Sequence, residues 1–180
     1  MSTNLIFSGP IGSGKTQVSK AVATTLGLGW TSFGATLKAI AIKQGGPTNR
    51  KGLQALGEIM VATKPDELCQ RVLAEAKPTE TQPVVIDGLR HIEIRDILRR
   101  IFWPARLLLI YIDVPEVIRL ERLRARDSIS NLEIQSEVVH STEIQVPAEI
   151  RSLADLVVDN SGEISVAVSA IVAKVSELNC

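Results

Sequence analysis

Short apolar runs alternate along the chain with longer stretches in which apolar residues recur every three or four positions. A short continuous apolar run predicts a buried strand, and the wider spacing predicts a helix. The predicted strands cover residues 3–8, 30–33, 83–87, 106–113 and 156–159. Strands that alternate with helices pair in parallel through right-handed crossovers. The pattern therefore predicts an α/β fold, a three-layer sandwich whose mainly parallel five-stranded sheet is covered by helices on both faces.

Helical spacing fills the intervals between these strands. Glycine and proline at 45–47 separate the second helix from the third, and Pro65 begins the fourth. Thr48 and Asn49 are both suitable N-cap residues for the third helix. The predicted helices cover residues 15–26, 35–44, 49–62, 65–76, 91–101 and 114–125, and a closing helix ends near residue 178.

The segment between the first strand and the first helix, residues 9–16, fits the P-loop pattern G-x-x-x-x-G-K-[ST]. Its glycines let successive backbone N–H groups face phosphate oxygens, and the following helix adds its positive N-terminal end. Lys15 is expected to reach the β- and γ-phosphates of a nucleotide, and Thr16 to bind Mg²⁺. The residues expected to bind the nucleotide are Gly9, Ile11, Gly12, Ser13, Gly14, Lys15, Thr16 and Gln17.

Composition narrows the classes of function that remain. The 180 residues, 45% hydrophobic and 22% charged, suit one globular domain over 1–180. A net charge of zero without a basic tract gives no ground for nucleic-acid binding. The longest strong apolar run, 107–112, is too short to span a bilayer, and the N-terminus leads directly into the first strand. We therefore expect a cytoplasmic protein that binds no membrane.

Signatures of several other P-loop classes are absent from the sequence. The guanine-reading pattern N-K-x-D of GTPases does not occur, nor does the transporter signature L-S-G-G-Q. Neither of the strand-terminal aspartates, Asp87 and Asp113, is followed by the glutamate that a hydrolytic ATPase often requires. These absences favour a small phosphoryl-transfer kinase. They leave open whether ATP or GTP is the better donor.

Five stretches occur in an order and spacing that together are more specific than each one alone. They are the P-loop at 9–16, S-F-G-A-T-L-K-A at 32–39, V-I-D-G-L-R at 85–90, Y-I-D-V-P at 111–115 with the arginines after it, and the segment 154–160. Over nearly the whole chain this arrangement resembles the nucleoside monophosphate kinase superfamily, the adenylate-kinase-like P-loop enzymes. The resemblance implies ATP and Mg²⁺ as cofactors, acceptor-binding helices at about 34–76 and a short lid at about 126–140.

Candidate metal and acceptor ligands follow the strand at 83–87. Asp87 is expected to hold Mg²⁺ opposite Thr16, although an aspartate here could instead cap the next helix. Gly88 allows the chain to turn close to a ligand. Arg90 is expected to clamp the acceptor phosphate, because a guanidinium binds phosphate in a bidentate fork. The alternative for Arg90 is a surface ion pair.

Further acceptor ligands are implied within the region 34–76. Gly34 would supply a close turn, and Lys38 stands where the family carries an arginine. A lysine binds phosphate as a point charge and lacks the fork geometry. Arg50 begins the third helix, and Gln54 lies one turn later on the same face. These two residues could contact the acceptor phosphate and its base or sugar, or they could lie on a solvated face.

Three arginines share one face of the helix that leads into the predicted lid. They are Arg119, Arg122 and Arg126, and in the family arginines here neutralise the transferring phosphate. Arg122 and Arg126 are the first choices, and a charged solvent face is the alternative. Residues 127–150 contain no arginine or lysine, so this lid is weakly equipped, although Arg151 could act from its far end.

The remaining titratable residues carry weaker signals. Asp113 is more consistent with a helix cap than with a metal or ribose contact. His91 and His140 lack metal-ligand spacing, although His91 could touch a substrate because it follows Arg90. Cys69 and Cys180 form neither a disulfide framework nor a zinc pattern.

The sequence therefore favours a kinase that transfers the γ-phosphate of ATP to a nucleoside monophosphate, including a deoxynucleotide. The expected catalytic residues are Lys15, Arg90, Arg122 and Arg126. A first alternative is a kinase of dephospho-coenzyme A or another small alcohol, with Asp87 or Asp113 as the base. A second is a nucleotide-binding regulatory protein with little catalysis, in keeping with Lys38 and the arginine-free lid. The base and the sugar stay open, and both a monomer and a homodimer fit.

Overall fold

The computed structural model describes residues 3–76, 82–127 and 149–179, and only the backbone of residues 126 and 127. The strands are β1 Thr3–Ser8, β2 Gly29–Ser32, β3 Val84–Asp87, β4 Arg106–Asp113 and β5 Leu156–Asp159. The helices are α1 Lys15–Leu26, α2 Phe33–Lys43, α3 Arg50–Thr63, α4 Pro65–Glu75, α5 Ile92–Phe102, α6 Glu116–Asp127 and α7 Ile164–Asn179. The predicted strands and helices are all present, with ends that differ by one or two residues.

The five strands form one parallel sheet in the order β2-β3-β1-β4-β5. Leu5 on β1 pairs with Val85 on one side and with Leu108 on the other, so β1 is the central strand. Because every strand runs in the same direction, their carboxyl ends lie along one edge of the sheet. The predicted α/β fold with a mainly parallel sheet is confirmed.

Side chains on the two faces of the sheet belong to two separate hydrophobic clusters. Ile6 and Ile86 face the cluster formed with α2, α3, α4 and α5. Phe7 and Val85 face the cluster formed with α1 and α7. Successive residues of a strand point to opposite faces, and both faces are covered. This is why the strands read as continuous apolar runs rather than as an alternating pattern.

Cys69 lies on α4, in the first of these two hydrophobic clusters, and is fully buried. Burial raises the pKa of its thiol to about 11, so the residue acts as a small apolar side chain, as expected from its pattern. Cys180 and His140 lie outside the described residues. Among the helices that the structure describes, none has the length and apolarity needed to cross a bilayer.

The start of α3 is held by Asn49. Its side chain accepts a hydrogen bond from the Gly52 N–H at 2.9 Å. Of the two predicted caps, Asn49 is therefore the one used, and Arg50 begins the first turn of the helix. Gly52 leaves room for Pro47, since a Cβ at Gly52 would lie 2.6 Å from the Pro47 ring. This arrangement sets the entry of α3, and with it the position of Arg50 and Gln54.

We expect Asn49→Ala to lower the free energy of unfolding by about 1 kcal/mol, because the Gly52 N–H loses its side-chain acceptor. Urea denaturation followed by circular dichroism would measure the change. Thr48→Ala is the matched control and should leave the unfolding midpoint in place. A loss of stability in the Thr48 variant without one in the Asn49 variant would contradict this assignment of the cap.

Candidate active site

The P-loop lies at the carboxyl edge of the sheet, between β1 and α1, and is closely packed by two other elements. Gly12 and Gly14 have φ angles of 80° and 81°. A Cβ at Gly12 would lie 2.8 Å from the Arg119 carbonyl oxygen, and one at Gly14 would lie 2.5 Å from Asn160 Nδ2. Both the backbone conformation and the space therefore require glycine. The curled loop ahead of a helix N-terminus fits the phosphates of a nucleotide.

Parallel pairing brings Asp87 beside the first turn of α1. The Thr16 hydroxyl donates a hydrogen bond of 2.6 Å to Asp87 Oδ2. Lys15 Nζ donates to the Pro10 carbonyl oxygen at 3.2 Å, across its own loop. The helix-cap alternative for Asp87 is wrong, because α5 begins at Ile92 and its N-cap position is His91.

The environment of Asp87 fits a hard cation. The residue is 4% exposed, and its buried Oδ1 accepts no hydrogen bond from the described residues. Burial raises the pKa of its carboxyl group, and the nearby Lys15 partly opposes this. A hydroxyl and a carboxylate oxygen are ligands that Mg²⁺ takes alongside substrate phosphates. Thr16 and Asp87 could therefore hold Mg²⁺. The described residues contain no group of three or more His, Cys, Asp or Glu side chains with metal-site geometry.

A cavity of about 810 Å³ extends from the P-loop between α2, α3 and α5. It reaches Ile11, Gly12, Lys15 and Thr16 at the P-loop. Every predicted acceptor residue lines it: Gly34, Lys38, Arg50, Gln54, Asp87, Gly88 and Arg90. Of the other predicted nucleotide residues, Gly9, Ser13 and Gly14 lie in the loop itself, and Gln17 is exposed on α1.

The wall of the cavity contains His91, for which a substrate contact was expected as one possibility, and further side chains that the sequence did not single out as ligands. The apolar ones among them are Phe33, Leu37, Leu53, Val61, Leu68 and Ile94. Ser32 and Thr48 add hydroxyl groups, and His91 adds a ring whose pKa is lowered by burial. The imidazole is therefore neutral at pH 7. The apolar residues of this wall could not be identified from the sequence, because apolar side chains at helical spacing normally belong to the core.

Two arginines, Arg50 and Arg90, line the acceptor side of this cavity. Burial lowers the pKa of Arg90 to about 10, and the neighbouring Arg50 lowers it while Asp87 raises it. Arg90 therefore stays protonated at neutral pH and lies in a poorly solvated position rather than on the surface. Arg50 and Gln54 also line the cavity and do not lie on the outer face of α3. Paired guanidinium groups in such surroundings favour a doubly charged anion.

The turn that carries Asp87 and Arg90 is fixed by β1. The Ser8 hydroxyl donates to the Leu89 carbonyl oxygen at 2.8 Å, and Ser8 is fully buried. The Gly88 and Leu89 N–H groups both donate to the Phe7 carbonyl oxygen at 3.0 Å. Gly88 itself has a φ of 94°, which favours glycine. The position of the carboxylate and the guanidinium relative to the P-loop is thus set by backbone hydrogen bonds.

The arginines of α6 lie against the P-loop. Arg119 is 11% exposed and approaches Gly12 with its backbone and Cγ, while its guanidinium lies 3.5 Å from Glu116. Arg122 donates to the Asn160 carbonyl oxygen at 2.9 Å, and its Nη1 is 3.7 Å from where a Gly14 Cβ would be. Arg119 and Arg122 therefore share one face, as predicted. The Arg126 side chain and the predicted lid after residue 127 lie outside the described residues.

Asn160 connects the P-loop, α6 and β4, and no role was predicted for it from the sequence. Its Nδ2 donates to the Ser13 carbonyl oxygen at 2.8 Å, and its N–H donates to the Asp113 carbonyl oxygen at 2.9 Å. It is 5% exposed. The only signal in the sequence was its place at the end of the 154–160 stretch. Its contacts join residues far apart in the chain.

Asp113 does not face the cavity, and it pairs instead with Arg151. Its Oδ1 accepts from the Val114 N–H at 3.0 Å, just before α6 begins. Its Oδ2 accepts from Arg151 Nε at 3.1 Å. The helix cap expected for Asp113 is wrong, because α6 begins at Glu116 and the N–H that Asp113 accepts belongs to Val114, before the helix. The contact with Asp113 holds Arg151 at the carboxyl edge of the sheet.

Comparison with known proteins agrees with this geometry. The model of a family described as AAA domain matches residues 5–140. A gluconokinase from Sinorhizobium meliloti 1021 superposes with a TM-score of 0.63 at 19% identity, over 98% of this chain and 93% of that chain. A shikimate kinase from Aquifex aeolicus superposes with a TM-score of 0.60 at 17% identity, over 98% of each chain. No curated protein matches significantly. At these identities the two structures show the fold, and the resemblance to small P-loop kinases is confirmed at that level.

Replacing Asp87 should change the stability of the protein in a pH-dependent way. We expect Asp87→Asn to raise the free energy of unfolding at pH 7, because a buried carboxylate with a raised pKa disfavours the folded state once it is ionised. The gain should shrink as the pH falls through the raised pKa and vanish below the ordinary value of 3.8. Urea unfolding of both proteins between pH 3 and pH 8 would test this. A variant that is less stable at pH 7, or whose gain grows in acid, would contradict it.

Proposed function

This chain belongs to the AAA domain family, and from that premise we propose that it is an ATP-dependent kinase of a small-molecule acceptor, with a nucleoside monophosphate as the acceptor. The kinase part of the proposal is supported by the P-loop with its Asp87 partner and by the names of the structures that share the fold. The choice of acceptor is supported by the cavity.

One observation carries the choice of acceptor. The cavity combines Arg50 and Arg90, close enough for Arg50 to lower the pKa of Arg90, with a wall formed by Phe33, Leu37 and other apolar side chains. A phosphate group matches the guanidinium pair, and a planar base matches the apolar wall. A nucleoside monophosphate carries both groups in one molecule.

On the donor side, Lys15 and the loop N–H groups would hold the phosphates of ATP. Thr16 and Asp87 would hold Mg²⁺, which when bound supplies positive charge to the phosphate oxygens. The Thr16–Asp87 hydrogen bond keeps both oxygens together at the mouth of the cavity. Arg122 lies beside Gly14, from where its second guanidinium nitrogen can reach a transferring phosphate.

On the acceptor side, Arg90 and Arg50 would bind the acceptor phosphate, and Lys38 would add a point charge. The acceptor phosphate is already ionised, so no side chain needs to remove a proton from it. The work of these residues is to position the acceptor against the donor and to exclude water. Arg126 and the segment that follows it are proposed to complete this enclosure.

A second candidate is a kinase of a small hydroxylated acid or alcohol, with dephospho-coenzyme A as one example. The observation in its favour is that burial raises the pKa of Asp87 at the wall of the cavity, which suits a base acting on a hydroxyl group. The arginine pair would then hold a carboxylate or a distant phosphate. Gluconokinase and shikimate kinase share the fold, and their names refer to acceptors that carry hydroxyl and carboxylate groups.

A coupled ADP-release assay would test the activity and separate the two candidates. Mg-ATP is offered with each common ribo- and deoxyribonucleoside monophosphate, gluconate, shikimate and dephospho-coenzyme A. We expect turnover with at least one monophosphate, reduced about a hundredfold or more in Lys15→Ala. Turnover with hydroxyl acceptors alone would favour the second candidate. ATP binding without any turnover would overturn both and favour a regulatory protein.

The role proposed for Arg90 predicts a change confined to the acceptor. We expect Arg90→Lys to raise the acceptor KM about tenfold while the ATP KM stays the same, because lysine keeps the charge and loses the bidentate fork. Steady-state kinetics with each substrate varied in turn would measure both constants. Arg124→Lys, on the exposed side of α6, is the matched control and should change neither. An equal rise in both KM values would remove Arg90 from the acceptor site.

A further inference from the structure

Gly57 lies in the middle of α3 and lines the cavity, although glycine weakens the interior of a helix relative to alanine. Its backbone is helical, and a Cβ added there would meet only the tip of Leu37, with Cδ1 at 3.2 Å. Gly52 in the same helix is different, because a Cβ there would meet Pro47 at 2.6 Å. Packing against a proline ring therefore requires glycine at 52, whereas at 57 a Cβ would press on the tip of one flexible side chain, Leu37, which would have to shift by a few tenths of an ångström.

The place of Gly57 along α3 relates it to the proposed acceptor. Arg50, Gln54, Gly57 and Val61 all line the cavity and recur at helical spacing, so they form one stripe. At about 1.5 Å per residue, Gly57 lies about 10 Å along the helix axis from Arg50. An acceptor whose anionic group is held by the arginine pair would need to be long to reach Gly57. A nucleoside monophosphate has that length, and a short sugar acid is shorter.

The surroundings of Gly57 match a flat ring with polar edges. Leu37 faces it from α2, and Leu53 and Val61 line the cavity from the turns before and after it. Gln54, on the same stripe, offers both a donor and an acceptor from its side-chain amide. Apolar faces with one amide beside them suit a nucleobase, which has an apolar face and a hydrogen-bonding edge.

We propose that Gly57 is a specificity-determining residue: its missing side chain opens a slot, bounded by Leu37, Leu53 and Val61, that admits a purine base of the acceptor. This inference rests on the proposed function and deepens it by naming the class of base. A side chain at position 57 fills the part of the slot that the second ring of a purine uses. A pyrimidine, with one ring, leaves that part empty.

The test compares purine and pyrimidine monophosphates as acceptors for the wild type, Gly57→Ala and Gly57→Val. We expect the KM for purine acceptors to rise about tenfold in Gly57→Ala and further in Gly57→Val, with little change for pyrimidine acceptors and none in the ATP KM. The thermal midpoint should change little in Gly57→Ala, because the gain in helix propensity offsets the small shift of the Leu37 tip. Ala55→Gly, which exchanges the same methyl group on the exposed face of α3, is the matched control and should not change acceptor preference.

A double variant adds a readout that a general disturbance of the helix would not give. The nearest atom to the new methyl group belongs to Leu37, so Leu37→Ala combined with Gly57→Ala restores space in the slot. We expect the purine KM of the double variant to fall to within about threefold of the wild type. If the purine KM of the double variant is equal to or above that of Gly57→Ala, the proposal of a slot at Gly57 is wrong.

The outcomes distinguish this inference from the function on which it rests. Wild-type turnover with purine monophosphates, together with equal losses for purines and pyrimidines in Gly57→Ala, would overturn the slot and leave the kinase assignment in place. Wild-type turnover with pyrimidine monophosphates alone would also overturn it. The absence of turnover with every nucleoside monophosphate would instead contradict the proposed function.

Discussion

The parallel pairing of β1 with β3 is the constraint on which the rest of the site depends. Phe7 lies opposite Asp87, so the P-loop and the turn after β3 leave the sheet at the same level. The Phe7 carbonyl oxygen accepts two N–H groups of that turn, and the Ser8 hydroxyl binds the Leu89 carbonyl oxygen. These hydrogen bonds place the carboxylate against Thr16 and direct the chain that carries Arg90 into the cavity. A slip of one residue would turn Asp87 to the other face of the sheet.

The charges gathered at this edge do not favour the folded protein by themselves. Burial raises the pKa of Asp87 and lowers that of Arg90, so the surroundings disfavour the charged form of both groups. Arg50 lies near Arg90 and adds repulsion between like charges. Such perturbed groups in a cleft are typical of functional sites. A ligand with several phosphates would bring negative charge to Arg50 and Arg90, and its binding would stabilise the folded protein.

Much of the fold and part of the site could be predicted from local patterns. The buried strands, the breaker residues at 45–47 and the P-loop depend on neighbours in sequence, and their predicted positions agree with the structure to within two residues. Asn49 as a cap was one of two local possibilities. The alternative role of Asp87 as a helix cap was wrong, because four more residues follow it before α5 begins at Ile92. The hydrogen bonds by which Asn160 connects separate segments were not predicted, since its partners Ser13 and Asp113 are distant in sequence.

The sequence by itself determined the element order, the phosphate loop and the residue types able to bind a metal and an anion. These properties follow from spacing, backbone conformation and side-chain chemistry, which act over a few residues. Tertiary structure alone decided which of these residues meet. It brought Thr16 to Asp87, put Arg50 of α3 near Arg90 of the β3 turn, and placed Gly57 at the cavity wall with the tip of Leu37 beside it. Those contacts depend on strand order and helix packing, which no local pattern encodes.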